Sequence, residues 1–246
     1  MAAELQHAFS HWLFWRPALR VLCYHRVHPT NQGPFTITTE QLNAQLGYFS
    51  RCGFQFIRAS DLLLPRALPE RPLLLTFDDG YADSSQYLQP ILRHHRATAT
   101  LFIVTGYVGD CAPWSNEHTK LLSIEQLREL DPELVELALH SHLHRSFGGL
   151  SLFEIENDLR KSLAFFAEHR IPVSPALAYP YGCRPKHPIA DLAHCLAVLG
   201  IRLAFRLGNR INRLPLHNPY EIQRIGVSGE WSQAVFQTKV WLGKVL

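Results

Sequence analysis

The chain has 246 residues, of which 47% are hydrophobic and 18% are charged. These proportions are typical of a folded globular protein, and they exclude disordered, collagen-like and coiled-coil sequences. The 24 Lys and Arg residues exceed the 21 Asp and Glu residues only slightly, giving a net charge of +3. The basic charge is not concentrated, so it does not predict binding to nucleic acid.

Short apolar runs rich in Val, Ile, Leu and Phe alternate with segments of helical period. Eight strands are predicted, at 20–24, 54–58, 73–77, 98–104, 134–139, 176–179, 203–207 and 221–227. Capping-box patterns predict helices that begin after Thr38, Ser123 and Ser151, and Pro188 suits the first turn of another helix. This alternation favours a parallel sheet with crossover helices.

The number of strands predicts how the sheet is closed. Seven or eight strand–helix units in ~250 residues fit a closed (β/α) barrel better than an open sheet. The chain shows no internal repeat and no low-complexity tract. We therefore expect a single domain, residues 1–246, with its core at about 20–227.

The cysteines and the apolar segments predict a cytoplasmic protein. The five cysteines are Cys23, Cys52, Cys111, Cys183 and Cys195. Their odd number and the lack of a CxxC pair favour a reducing compartment over a disulfide framework. The apolar run at 12–15 is too short for a membrane span of about 20 residues, and it does not resemble a secretory signal.

An apolar helical stripe could form near the N-terminus, from Leu5, Phe9, Trp12, Leu13 and Trp15. Such a stripe either packs against the barrel or makes weak peripheral contact with a membrane surface. The pattern alone leaves both uses open.

The third predicted strand ends in two adjacent carboxylates, Asp78 and Asp79, followed by Gly80. Catalytic groups of parallel α/β folds gather at the carboxyl ends of strands. At the curling end of a strand, one carboxylate can bind a metal ion while its neighbour stays free as a base. The alternative is a turn in which an aspartate caps the next helix, and Asp83 fits such a cap or a structural partner. The pattern does not say which aspartate would have which role.

Three of the 14 histidines lie within five residues at the end of the fifth predicted strand. His140 and His144 share a face on either a helix or a strand, so both imidazoles can reach one ion. Two histidines and one carboxylate are a common ligand set for a catalytic divalent metal. His142 has the same strand parity, and we assign it to the wall of the site or to a contact behind the ligands.

Together these segments resemble the polysaccharide deacetylases, the NodB-type family-four carbohydrate esterases. Residues 76–80 match the family's first motif, TFDDG, and residues 140–144 match its second, H-[ST]-x-x-H. Residues 178–182 are similar to the third motif, R-x-P-Y-G. The three motifs occur in the family's order, and the resemblance extends from about residue 20 to about residue 227.

This resemblance implies a distorted (β/α) barrel with a metal-dependent amide or ester hydrolase site. On the matching positions, Asp79, His140 and His144 would hold the metal, and Asp78 would be the general base. The backbone N–H of Tyr181 would help to hold the oxyanion. The ligand set suits zinc, and cobalt, nickel or iron would also fit.

The sequence departs from the family pattern at two points. Ala178 replaces the third-motif arginine that orients the base in many members, and the late motifs that carry the general acid have no clear counterpart. His217 lies in a predicted surface turn. The Tyr24–His25 pair, however, resembles a segment of the circularly permuted subgroup that includes biofilm poly-N-acetylglucosamine deacetylases. This likeness implies that His25 is the general acid; the alternative is a buried histidine bonded to backbone at the barrel rim.

The expected function is metal-dependent removal of N-acetyl groups from an acetylated amino sugar. The carbohydrate substrate would be a polysaccharide, an oligosaccharide or a lipid-linked glycan, and a cytoplasmic enzyme would favour a soluble or lipid-linked intermediate. One alternative is deformylation or deacylation of another small amide at the same site. Another is a carbohydrate-binding barrel that has lost turnover, which Ala178 supports and the retained Asp78 opposes.

Overall fold

The computed structural model describes residues 18–115 and 118–243. The predicted N-terminal apolar stripe lies outside these residues. Within the described part of the chain, no helix is both long enough and apolar enough to cross a membrane.

Seven parallel strands form a closed barrel. The strands of the described chain are β1 (Ala18–Tyr24), β2 (Arg26–His28), β3 (Thr36–Thr38), β4 (Gln55–Ile57), β5 (Pro72–Phe77), β6 (Ala99–Ile103), β7 (Val135–Leu139), β8 (Ala176–Ala178), β9 (Leu203–Leu207), β10 (Asn212–Arg213) and β11 (Ile222–Gly226). The ring runs β1-β5-β6-β7-β8-β9-β11. It closes because Leu22 of β1 is in register with both Leu75 of β5 and Ile225 of β11.

All eight predicted strands are present, and β4 is the one that lies outside the ring. It pairs with the first half of β5, from Pro72 to Leu74, whereas β6 pairs with Thr76 and Phe77 in the second half. The strands β2, β3 and β10 were not predicted, because each contains only two or three residues and no apolar run.

The helices surround the barrel, and three of them begin where the capping boxes placed them. They are α1 (Thr39–Arg51), α2 (Gln89–His95), α3 (Ile124–Glu129), α4 (Leu152–Glu168), α5 (Ile189–Val198) and α6 (Gln233–Leu242). Complete capping boxes start α1, α3 and α4 at Thr38, Ser123 and Ser151. Pro188 precedes α5 as its cap instead of occupying its first turn.

The interior of the barrel is apolar at one end and polar at the other. The segment after β4 crosses the amino ends of two strands, where the Ala59 N–H donates to Thr100 Oγ1 at 3.1 Å and the Ser60 N–H donates to the Glu136 carboxylate at 3.2 Å. The buried apolar side chains inside the barrel are covered at this end by five leucines: Leu62, Leu63, Leu68, Leu214 and Leu216. The polar groups that the sequence singled out lie at the opposite mouth.

Candidate active site

The carboxyl ends of the barrel strands enclose a cavity of about 610 Å³, a size typical of small-molecule sites. All six residues that the sequence proposed for metal binding and catalysis line this cavity: His25, Asp78, Asp79, His140, His144 and Tyr181. The parallel barrel therefore brings together groups that are far apart along the chain.

Asp79, His140 and His144 form a compact buried cluster. The Asp79 Oδ1 atom lies 3.5 Å from His140 Nε2 and 3.3 Å from His144 Nε2, and one donor atom from each residue lies within 4.8 Å of the others. Oδ1 is buried and accepts no hydrogen bond. A buried carboxylate oxygen without a partner is costly, and a divalent cation between these three atoms would remove that cost. The donor set therefore fits the metal that the sequence predicts.

The ring of His140 is oriented by the backbone of β8. Its Nδ1 lies 2.8 Å from the Ala178 carbonyl oxygen. Because a carbonyl can only accept, Nδ1 is the donor, and Nε2 of the neutral ring is left to ligate. Burial lowers the pKa of His140, but the carboxylates of Asp78 and Asp79 outweigh it and raise that pKa above its ordinary value.

The pKa values of the other two members shift downward. For Asp79, burial raises the pKa, but the facing imidazoles of His140 and His144 outweigh burial and hold it well below its usual range. For His144, burial is the main cause and lowers the pKa. At neutral pH, Asp79 is therefore a carboxylate that faces a neutral His144.

The turn that carries the histidines is fixed by side chains of the same segment and of α4. The Ser141 Oγ atom accepts the His144 N–H at 2.9 Å. The Asp158 carboxylate of α4 accepts the His142 N–H at 2.8 Å and the Leu143 N–H at 3.1 Å. These bonds explain why a serine stands in the motif and how α4 holds the turn at the barrel mouth.

His142 does not take part in the cluster. Its Nδ1 atom lies 3.1 Å from Thr105 Oγ1, and His142 is not among the residues that line the cavity. Of the two positions that the sequence left open, the wall of the site is therefore not the one observed. Asp83 pairs with Arg26 and does not cap a helix through its side chain.

Four of the eight non-glycine residues with positive φ in the described part of the chain lie at this mouth. Asp79, Ser141, His144 and Tyr181 have φ values of 74°, 67°, 53° and 57°. Left-handed conformations of residues other than glycine cost about 1–3 kcal/mol each and tend to cluster at functional sites. The rest of the fold must stabilise this arrangement.

Asp78 lies outside the Asp79–His140–His144 cluster and is held by a buried arginine. Its two oxygens accept a bidentate pair of hydrogen bonds from Arg224, at 2.6 and 2.7 Å, and both side chains are buried. Burial raises the pKa of Asp78, but the charge and hydrogen bonds of Arg224, together with the nearby imidazoles of His140 and His25, outweigh burial and lower the pKa to about 2. Asp78 is therefore fixed in orientation and fully ionised at neutral pH.

Arg224 takes the place expected for the missing third-motif arginine. The motif position is Ala178, which contributes only its carbonyl to His140, while the guanidinium that orients Asp78 comes from β11. The sequence contained a signal for it, because Arg224 shares strand parity with the buried Ile222. A charged residue on the inward face of a strand indicates a buried partner of opposite charge.

His25 and Cys23 lie beside Asp78. The Cys23 thiol donates to Asp78 Oδ2 at 3.4 Å, and donor atoms of Cys23, His25 and Asp78 lie within 4.8 Å of one another. The Nδ1 atom of His25 is buried without a hydrogen-bond partner, and its ring meets the edge of Phe35 at 5.0 Å. This Nδ1 is therefore not bonded to the barrel rim as in the structural alternative.

Tyr181 and Trp114 border the cluster on its open side. The Tyr181 ring is 57% exposed, and its centroid lies 4.7 Å from that of His144. The Trp114 Nε1–H donates to Asp79 Oδ2 at 3.1 Å. Trp114 was not predicted, because it stands in a loop between β6 and α3 that carries no motif.

A parallel barrel with a buried Asp–His–His cluster and a separate ionised carboxylate at its carboxyl mouth defines a metal-dependent hydrolase class. The profile of the polysaccharide deacetylase family matches residues 66–196, just over half of the chain. The chain belongs to the polysaccharide deacetylase family, hydrolases that cleave the amide of an N-acetyl group on a carbohydrate.

Individual relatives and solved structures agree with this assignment. YxkH of Bacillus subtilis is 24% identical over 172 residues, which cover 68% of this chain and 58% of YxkH. A Staphylococcus aureus poly-beta-1,6-N-acetyl-D-glucosamine N-deacetylase is 26% identical over 211 residues, 80% of this chain and 69% of the relative. The chain thus spans between about half and about two thirds of these relatives.

Two solved structures share the fold over almost their whole length. The Streptococcus pyogenes deacetylase PplD has a TM-score of 0.74 and 18% identity, covering 92% of this chain and 99% of that one. IcaB from Ammonifex degensii has a TM-score of 0.73 and 24% identity, covering 92% and 97%. The likeness to the circularly permuted subgroup stays a prediction, because these comparisons do not test strand permutation.

Proposed function

We propose that this chain removes the N-acetyl group from an amino sugar within an acetylated glycan, using a divalent metal held by Asp79, His140 and His144. One observation carries the proposal. The buried and unpartnered Oδ1 of Asp79 faces two imidazole nitrogens, and the separate carboxylate of Asp78 lies next to it. A binding-only barrel has no need of that second carboxylate.

The metal is proposed to be zinc, with cobalt, nickel or iron as other ions that suit this ligand set. When bound, such an ion polarises the amide carbonyl and lowers the pKa of water. The chain must supply the remaining proton transfers, because amine release from an amide needs both a base and an acid.

Asp78 is the proposed general base. Its Oδ2 atom lies 3.8 Å from His140 Nε2, so the carboxylate borders the space in which the attacking water would stand. The bidentate contact with Arg224 keeps Asp78 ionised and prevents its carboxylate from rotating. The low pKa makes Asp78 a weak base, and its contribution rests on orientation.

His25 is the proposed general acid, and Tyr181 the proposed oxyanion donor. His25 lies beside Asp78 and lines the cavity, where it can protonate the departing amine. The backbone N–H of Tyr181 would donate to the oxyanion, and loss of one such donor costs roughly 100- to 1000-fold in rate. The left-handed backbone of Tyr181 fixes the direction of this N–H.

The cavity suits a sugar ring. Phe35, Trp114 and Tyr181 supply aromatic surface along its walls, and apolar walls with a few placed polar groups are typical of small-molecule sites. The named activity of the S. aureus relative makes oligomers of N-acetylglucosamine the first substrates to test. All five cysteines are free, which supports the proposed cytoplasmic location and hence a soluble or lipid-linked glycan.

The test compares metal content and amine release from acetylated glucosamine oligomers and glycolipids for wild type, Asp79→Ala and His25→Gln. We expect Asp79→Ala to lose metal and activity together. We expect His25→Gln to keep its metal while its turnover falls roughly 100-fold or more, as for loss of a general acid. His217→Gln is the matched control, because His217 is exposed and is not among the residues that line the cavity.

Three results would contradict this proposal. Full metal content and full activity in Asp79→Ala would remove the metal assignment. Glycan binding by metal-loaded wild type with no amine release would favour a carbohydrate-binding barrel, and release from another small acylated amine alone would favour a deacylase of different specificity.

A further inference from the structure

We propose that Trp114 is a positioning residue that determines which oxygen of Asp79 faces the metal. This inference rests on the proposed function, because it concerns the same three ligands. Trp114 itself would touch neither the ion nor the reacting amide.

The two oxygens of Asp79 have different surroundings. Oδ2 accepts the indole N–H of Trp114 at 3.1 Å. Oδ1 accepts no hydrogen bond and points between the Nε2 atoms of His140 and His144. The indole N–H is therefore bonded to Oδ2, and Oδ1 remains as the one carboxylate oxygen available to a metal ion. In the same way, the Ala178 carbonyl is bonded to Nδ1 of His140 and leaves Nε2 available.

The indole ring also restrains a second ligand. Its centroid lies 4.0 Å from that of His144, with an angle of 38° between the rings. The Tyr107 ring also meets the indole edge-on, at 5.5 Å. The indole is thus in contact with both Tyr107 and His144, and its contact with the His144 ring restrains that imidazole.

The loop that carries Trp114 is anchored on both sides of the residue. The Ala112 N–H donates to the Thr119 carbonyl at 2.9 Å, and the Leu122 N–H donates to the Gly80 carbonyl at 2.8 Å. The second bond ties the loop to the turn that directly follows Asp79. The position of the indole is therefore coupled to that of the carboxylate.

Groups that hydrogen-bond to metal ligands commonly influence metal affinity, and their loss typically weakens that affinity about 10- to 100-fold. Trp114→Phe keeps an aromatic ring against His144 but removes the N–H. Trp241→Phe is the matched control, because the Trp241 indole N–H also donates to a side chain, the Tyr48 hydroxyl. Trp241 packs against the core and does not line the cavity.

The experiment measures zinc affinity of the metal-free full chain by competition with a chromophoric chelator, together with the melting temperature of the metal-free protein. We expect Trp114→Phe to bind zinc about 10- to 100-fold more weakly with an unchanged melting temperature, and Trp241→Phe to bind it like wild type. Equal affinity in Trp114→Phe and wild type would overturn the inference alone. Failure of wild type to bind zinc would overturn the proposed function.

A second measurement does not depend on the folding of Trp114→Phe. Zinc added to metal-free Trp241→Phe should change the tryptophan emission, because the Trp114 indole donates to one ligand and packs on another. An emission spectrum that stays constant while the chelator assay shows zinc binding would contradict the role of Trp114.

Discussion

The Asp78–Arg224 ion pair connects the strongest motif in the sequence with a residue that belongs to none. Both side chains are buried, and the pair is bidentate. A buried pair adds little net stability, but removal of one partner leaves an uncompensated charge and costs about 3–5 kcal/mol. Arg224 therefore matters both for folding and for the ionisation of Asp78.

Arg224→Met should shift the acid limb of the activity profile to higher pH. In wild type, burial raises the pKa of Asp78, but Arg224 with the smaller contributions of His140 and His25 outweighs burial and lowers the pKa to about 2. This depressed pKa contributes stability that is fully present above the ordinary value near 4 and is lost as pH falls through about 2. Without the guanidinium, burial raises the pKa of Asp78, so the base takes up its proton at higher pH.

The measurement is the pH dependence of kcat/KM, with Arg206→Met as the control. Arg206 is a partly exposed arginine on neighbouring β9, and it pairs with Glu221 at 3.5 Å. We expect its acid limb to match that of wild type. An unchanged acid limb in a folded Arg224→Met protein would show that Arg224 does not govern the protonation of Asp78.

The sequence predicted the site residues that belong to motifs. It missed the residues that reach the site only through folding. Asp79, His140 and His144 stand in recognisable local patterns, and the structure brings them together. Arg224 and Trp114 come from segments without a motif, and their partners are 146 and 35 residues away. Contacts of this kind depend on barrel closure and loop packing, which single-sequence patterns do not encode.

At the scale of single elements, the turn Pro180–Gly182 is held against β9. Gly182 has a φ of +65°, and a Cβ added to it would lie 2.2 Å from Leu207 Cβ and 2.9 Å from Leu207 N. The turn therefore needs glycine both for its backbone conformation and for the close approach to Leu207. Tyr181, the proposed oxyanion donor, immediately precedes it.

Gly182→Ala should destabilise the protein by more than ~1 kcal/mol, because it adds steric overlap to an unfavourable φ. It should also lower kcat, since the turn that carries Tyr181 must shift. Urea unfolding and steady-state kinetics measure the two effects. In Gly148→Ala, the added Cβ would meet Ser146 Oγ at an ordinary 3.6 Å, and we expect near wild-type behaviour. Wild-type stability in Gly182→Ala would contradict this account of the turn.

Element prediction from the sequence worked where the determinants are local. The capping boxes at Thr38, Ser123 and Ser151 each use residues three positions apart, and each begins a helix as predicted. The short strands β2, β3 and β10 have no such signal. They are extended because neighbouring segments offer backbone partners, as in the pairing of Ala18 with Arg213.

At the scale of the molecule, closure of the barrel puts the site together. β1 joins β5 to β11, which brings Arg224 next to Asp78 and places His25 at the same mouth. α6 secures the other end of β1, where Arg20 donates to the Val240 carbonyl at 2.9 Å and its guanidinium lies over the Trp241 ring at 5.0 Å. The alternation of strands and helices predicted the barrel, but α6, with its weak apolar pattern, was not predicted.

The central claim is that Asp79, His140 and His144 hold one divalent ion while Asp78 stays outside its coordination. Anomalous diffraction at the zinc edge from crystals of the zinc-loaded protein tests this most directly. We predict one strong peak about 2.0–2.2 Å from Asp79 Oδ1, His140 Nε2 and His144 Nε2, with Asp78 still paired to Arg224. A peak bonded to Asp78, or one located away from the two histidines, would contradict the account.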